Sequence, residues 1–286
     1  MSKTKERIRE SNLRYKQSLG QNFIYDENLL AALVEASGVT GEDDVLEIGP
    51  GCGSMTKYLC EAAAHVLSVE LDERLIPLLN AFMAEKTNFT LVQGDVMALD
   101  LKKVTEGLKK PFSVVANIPY YITTPLITML LSSGLELKSL ALMVQKEVAD
   151  KILSAPGEDA WGPLAIRCQY MCEPYLAMDV PAACFTPPPK VDSAFVVMPR
   201  REQKKVQVKD EALFFRIAAA AFAMRRKTMV NNLIAAFRIS REEAEGWMEK
   251  CGLDKTARGE TLSLQNFASL ANEMPEIEKN PKIKKE

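Results

Sequence analysis

The sequence predicts an α/β fold: a mostly parallel sheet with an antiparallel strand near one edge, followed by a small all-helical domain. Three observations predict it. From Asp44 onward, short β-branched or apolar runs alternate with amphipathic stretches, the order expected of strand-helix repeats around a parallel sheet. Two further runs, Tyr175 to Val180 and Ala194 to Met198, flank the proline-dense Phe185-Thr186-Pro187-Pro188-Pro189-Lys190 and read as a closing strand pair. Antiparallel strands are tolerated at the end of a parallel sheet. Past Pro199 the composition turns polar and basic and then purely helical in pattern, so the expected domains are residues 1–200 and 201–286.

The elements follow in order. The expected strands are Val45 to Ile48, Val66 to Glu70, Phe89 to Gln93, Val114 to Ala116 and Leu140 to Val144, with helices in the gaps such as Ser54 to Ala64 and Glu73 to Glu85. Asp210 to Phe237 reads as one or two helices. Ser240 with Glu243 forms a capping box for the next, and Ser263 is placed to cap a last one. The charged tail after Pro275 is expected to fray.

Bulk properties exclude several classes. With 286 residues, 47% apolar and 26% charged, the chain has ordinary globular composition. Met1 to Lys16 is rich in Lys and Arg with no apolar core, which fits neither a secretory signal nor a membrane span, so a cytoplasmic protein with no membrane partner is expected. The six cysteines contain no Cys-x-x-Cys pair and the single histidine, His65, has no ligand-spaced neighbour, which argues against a metal site and His-dependent catalysis. Cys168 and Cys172, four apart, are expected to share one helix face and pack in the core; His65 is expected at the surface. A net charge of −2 argues against a uniformly basic nucleic-acid binder. The basic residues nonetheless cluster at the N-terminus, at Arg200, Arg201, Lys204, Lys205 and Lys209, and at Arg225-Arg226-Lys227. Such patches either bind phosphates locally or form solvated faces.

The glycine-rich Glu47-Ile48-Gly49-Pro50-Gly51-Cys52-Gly53 lies between the first expected strand and a helix, where glycines let the backbone approach a ligand. Its G-x-G-x-G spacing departs from the dinucleotide fingerprint, and no basic residue follows to suggest a phosphate loop. The stretch resembles motif I of class I S-adenosylmethionine-dependent methyltransferases. Glu70 ends the second strand and can accept both hydroxyls of a ribose; Asp95 ends the third and can accept from an adenine amine. Either acid alone is as well explained as a cap or turn residue, but polar strand ends in register favour a ligand crevice.

Asn117-Ile118-Pro119-Tyr120 ends the fourth strand. It reads either as a strand-ending turn or as a grip for a purine's exocyclic amine. In the second reading the Asn117 amide oxygen and the Ile118 carbonyl accept the two N–H bonds, and Tyr120 stacks on the base.

With these motifs the chain resembles the ribosomal RNA adenine N6,N6-dimethyltransferase family over most of its length. The resemblance rests on Gln17-Ser18-Leu19-Gly20-Gln21-Asn22-Phe23, the glycine loop, Asn117 to Tyr120, and Phe185-Thr186-Pro187-Pro188-Pro189-Lys190-Val191-Asp192-Ser193. It implies a Rossmann-like class I methyltransferase domain and an S-adenosylmethionine site formed by Asn22, Ile24, Gly49, Gly51, Glu70, Asp95 and Asn117. It also implies a sandwich of the target adenine between Tyr120 and Phe185. Phe185 reads either as an aromatic held ready by a stiffened backbone without packing partners, or as a core residue beside a turn. A fifth match, Phe222-x-x-Arg225-Arg226-Lys227-Thr228, resembles the family's basic helix at the RNA face. The implied substrate is a pair of adjacent adenines in the 3′-terminal hairpin loop of small-subunit rRNA, in the 30S subunit or its precursor, with the protein a monomer. The rivals are a large-subunit enzyme of the macrolide-resistance type and a non-catalytic assembly or transcription factor.

Overall fold

A computed structural model describes residues 21–274. The N-terminal basic cluster, the first four residues of the Gln17 to Phe23 motif and the tail from Pro275 lie outside the described residues.

The described residues form nine strands: β1 (Phe23–Ile24), β2 (Asp44–Ile48), β3 (His65–Glu70), β4 (Phe89–Gln93), β5 (Phe112–Asn117), β6 (Leu137–Gln145), β7 (Tyr175–Val180), β8 (Phe185–Thr186) and β9 (Ser193–Pro199). Seven of them form one sheet in the order β4-β3-β2-β5-β6-β9-β7. The β4 to β6 set is parallel, and β9 is antiparallel to both of its neighbours, β6 and β7. The antiparallel strand expected near one edge is therefore β9, while β7 outside it again follows the parallel direction.

β2 and β9 are buried almost end to end, as is β5 up to Ala116. That accounts for their unbroken apolar runs, since strands covered on both faces have no solvent side to mark with polar residues. Val45, Val66, Val115, Ala141 and Phe195 meet Leu30, Leu33 and Val34 of helix Glu27–Ala36 in one core cluster. Each fully buried side chain of this size stabilises the fold by roughly 1.5 to 3 kcal/mol. Asp26 caps that helix by accepting from the Asn28 and Leu29 N–H groups.

From β2 the chain builds one side of the sheet through β3 and β4, then returns to β2's other side for β5 and β6. Such a reversal opens a crevice beyond the carboxyl ends of the two central strands. Here those ends are Ile48 and Asn117.

Boundaries differ from expectation where turn chemistry intervenes. The helix expected from Glu73 to Glu85 spans only Ile76–Phe82. Residues 72–75 form a turn closed by Leu75 N–H to the Asp72 carbonyl, and Pro77 occupies the first helical turn, where a missing N–H costs nothing. Cys168 and Cys172 are both fully buried, but helix Pro163–Met171 stops before Cys172, which instead bridges Arg200. His65 pairs across strands with the Thr90 hydroxyl at 3.0 Å.

Two compact units divide the chain, residues Met1–Asp150 with Cys172–Arg200, and Lys151–Met171 with Arg201–Glu286. The segment Lys151–Met171 thus departs from the expected 1–200 and 201–286 partition. Aromatic packing explains this: Tyr170 lies 4.8 Å from Phe214 and 5.5 Å from Phe215, centroid to centroid, and Arg167 stacks over Phe215 at 3.8 Å. The Trp161 indole N–H donates to the Leu262 carbonyl. Within this unit the Ser240–Glu243 capping box forms as expected, and Ser263 forms one with Asn266.

Candidate active site

The crevice between β2 and β5 holds a cavity of about 190 Å3 within the sheet unit. Its floor is the glycine loop. Gly49 and Gly51 have φ of 70° and 60°, which disfavour any side chain. Gly51 donates its N–H to Glu70 Oε2 at 3.0 Å, and a Cβ at Gly51 would stand 2.6 Å from the Phe23 ring. Phe23 belongs to β1, which pairs with β8 through Phe23↔Thr186 and Ile24↔Phe185. Two motifs far apart in sequence therefore meet in one two-stranded ladder beside the loop.

Glu70 also accepts from the Asp72 N–H through Oε1 at 2.8 Å. Burial raises its carboxyl above the usual range, against the pull of these backbone N–H groups. A carboxylate offers about four acceptor positions, so capacity for hydroxyl protons remains. Asp95 is exposed two residues past the end of β4, with Oδ1 accepting from the Met97 N–H at 2.9 Å.

Glu47 has no assigned role in the sequence reading. It lies inside β2, 1% exposed, and lines the cavity. Its Oε2 accepts from the Thr56 and Ser68 hydroxyls at 2.8 and 2.6 Å, while Oε1 has no partner among the described residues. Burial, opposed by these two hydroxyls and reinforced by the Glu70 charge, pushes the carboxyl up to about 7. A buried acceptor without a donor is costly unless a ligand N–H or cation satisfies it. With carboxylates at and just past the ends of neighbouring strands and the half-buried Gly49 beside them, the wall suits a ligand that carries hydroxyl, amine and cationic groups.

At the end of β5, Asn117 donates Nδ2–H to the Asn22 carbonyl at 3.1 Å. A carbonyl can only accept, so this bond sets the amide orientation and leaves Oδ1 as a fixed acceptor. Among the described residues no donor engages Asn117 Oδ1 or the Ile118 carbonyl. Tyr120 is half-buried, and its hydroxyl meets the fully buried Ser193 hydroxyl at 2.7 Å, an anchor not visible in the sequence.

All seven residues expected at a cofactor line this cavity, together with Tyr120. Phe185 does not. It is 3% exposed and packed in the core cluster with Ile24, Val180 and Phe195, because the β1–β8 ladder sets it against apolar neighbours. Of its two readings, the core residue beside a turn is the one this packing matches, and the aromatic without packing partners is not. Arg225, Arg226 and Lys227 are exposed in the other unit, but not on a helix. Helix Glu211–Ala223 ends before them, Lys227 N–H closes a turn on the Met224 carbonyl, and Thr228 caps helix Met229–Phe237. Arg225 also donates to the Asp159 carbonyl at 2.8 Å.

A family model described as ribosomal RNA adenine dimethylase matches residues 12–276. The chain belongs to this family. Within it, ribosomal RNA small subunit methyltransferase A of Clostridium acetobutylicum is 41% identical over 271 residues, covering 95% of this chain and 98% of the relative. The protein of the same name from Lactococcus lactis is 42% identical over 281 residues, covering 97% and 96%. Among solved structures, a dimethyladenosine transferase from Plasmodium falciparum superposes with a TM-score of 0.72 at 24% identity, covering 87% of this chain and 95% of the other. The 23S rRNA methyltransferase ErmE gives 0.68 at 24%, covering 88% and 99%. These two structures show a common fold. The dimethylase family thus accounts for the Rossmann-like sheet, and residues missed by sequence reasoning complete the cavity, chiefly Glu47, Leu71, Met97 and Tyr121. The signal for Glu47 was available: an acid in an otherwise apolar central strand.

Proposed function

We propose that this dimethylase uses S-adenosylmethionine to methylate N6 of two adjacent adenines in the 3′-terminal hairpin loop of small-subunit rRNA. It would act as a cytoplasmic monomer on the 30S subunit or its precursor during ribosome biogenesis. The names of the relatives that share 41% and 42% identity over nearly the whole chain support the substrate. The orientation of Asn117, donor tied to Asn22 and acceptor free, is the observation that carries the chemistry.

When bound, the cofactor supplies an electrophilic methyl on a positively charged sulfur. Gly49 and Gly51 admit it to the loop, Glu70 accepts its ribose hydroxyls, Asp95 its adenine amine, and Asn22, Ile24 and Asn117 enclose the remainder. Asn117 Oδ1 and the Ile118 carbonyl take the two N–H bonds of the target adenine. That pulls the N6 lone pair out of conjugation with the ring and aims it at the carbon. Tyr120, held by Ser193, stacks on the extruded base, a contact worth roughly 1 to 3 kcal/mol. Catalysis is then positioning and polarisation by fixed dipoles. N6 would gain the methyl carbon as that carbon's bond to sulfur breaks, the electron pair returning to a now neutral sulfur, and N6 would afterwards give its proton to water. For Phe185 to form the other side of the sandwich, its ring must leave the core packing, so the RNA-bound state would differ there.

Tritiated-methyl transfer to purified unmethylated small subunits, followed by nucleoside analysis, tests this reading. N6,N6-dimethyladenosine is the expected product. Small subunits left without N6,N6-dimethyladenosine, while large subunits offered in a parallel reaction take up label, would overturn it.

A further inference from the structure

We propose that Tyr121 is a positioning residue for the rRNA, stacking on the base next to the adenine being methylated. The inference rests on the function proposed above and assigns a separate part of the same site.

Among the described residues the large exposed apolar side chains include Leu71, Met97 and Tyr121, and these three line the cavity. Leu71 and Met97 follow β3 and β4, on the side of the cofactor carboxylates. Tyr121 stands on the Asn117 side, is 58% exposed, and has no hydrogen bond or ring contact among the described residues. A phenol ring left to water in this way, at the rim of a cavity, is available to a ligand.

Backbone geometry separates it from Tyr120. Residues Tyr120–Ile122 form one turn of 3-10 helix, continued by helix Thr123–Ser132. At three residues per turn, consecutive side chains diverge by about 120°. Tyr120 is committed by its hydroxyl to Ser193, so a base stacked on Tyr120 cannot also stack on Tyr121. Two aromatic platforms on one turn match two consecutive nucleotides. Extruding one adenine removes its neighbour's stacking partner, and an aromatic ring at the rim replaces that lost stack regardless of base identity. As the two adenines take turns at N6, Tyr121 would support whichever is waiting.

The test is single-turnover methylation of unmethylated small subunits by wild type, Tyr121→Ala and Tyr121→Phe, with cofactor affinity measured alongside. A parallel series uses subunits reconstituted with rRNA that carries an abasic site next to the target adenine. The expected result on intact rRNA is a loss of roughly 5- to 100-fold in kcat/KM for Tyr121→Ala. Tyr121→Phe should stay within about twofold of wild type, cofactor affinity should not change, and on abasic rRNA the alanine variant should equal wild type. Tyr121→Ala matching wild type on intact rRNA overturns the inference, as does a loss that persists undiminished on abasic rRNA. Wild type failing to label adenine in small subunits overturns the function reading and this inference with it.

Discussion

Asn117 shows how one hydrogen bond turns a common strand-ending residue into an instrument. Its donor is spent on Asn22, so substitution by alanine removes the fixed acceptor proposed for the reacting amine while leaving Glu70 and Asp95 untouched. Turnover should fall by about 10²- to 10³-fold with cofactor affinity changed far less, read by single-turnover rates and calorimetric titration. Equal losses in both would place Asn117 in cofactor binding alone. Glu47 makes a different prediction. Its carboxyl is held up to about 7 in the folded chain, against an ordinary 4.5. Below 4.5 both states are protonated and the buried acid costs nothing. Between 4.5 and 7 the unfolded chain sheds its proton first, so stability falls as pH rises, levelling off above 7. Glu47→Gln keeps an acceptor for Thr56 and Ser68 without the charge, and should raise the urea midpoint at pH 8 but not at pH 4.5. The difference is at most roughly 3 kcal/mol. An equal gain at both pH values would refute the titration. The motif made Asn117 legible, but its orientation depends on a carbonyl 95 positions away. Glu47 is legible as the first residue of the glycine-rich stretch, but its buried, half-satisfied state depends on Thr56 and Ser68.

The parallel strands were legible because each is a compact apolar run between turn signals, and their register follows from burial on both faces. The β1–β8 ladder was not legible, since two residues on each side carry no periodicity. Phe185 and the basic turn were obscured for the same reason: tertiary pairing buries the first, and a single N-cap at Thr228 breaks a helical pattern that continues in sequence through the second. The glycine loop supplies the prediction at this scale. Gly51→Ala forces a side chain into left-handed backbone and against the Phe23 ring, so the loop must shift by about 1 to 3 kcal/mol of strain. Cofactor affinity should drop at least roughly tenfold by titration calorimetry. Undiminished affinity would mean that the loop does not shape the cofactor site.

At the scale of the molecule, a chain of net charge −2 must concentrate what positive charge it uses on RNA. The exposed Arg225-Arg226-Lys227 turn is the concentration we propose for that role. Replacing Arg225 and Arg226 with alanine should weaken binding to small subunits and flatten the dependence of log K on log salt by about 1 to 2, with cofactor affinity unchanged. An unaltered slope would assign the turn to solvent. The helical unit's discontinuity escaped sequence reading because Pro163–Met171 carries the same pattern as a sheet-covering helix, and only its aromatic partners reveal where it belongs. The pairing of Phe23 with Thr186 also sets a timetable for synthesis. A nascent chain that has emerged as far as residue 180 already carries the glycine loop, Glu70, Asp95 and Asn117. It lacks both the strand that holds Phe23 and the serine that steadies Tyr120. The cavity's ingredients are translated early and its clasp late, so a fragment stopped between them would have these lining residues without the means to hold their shape.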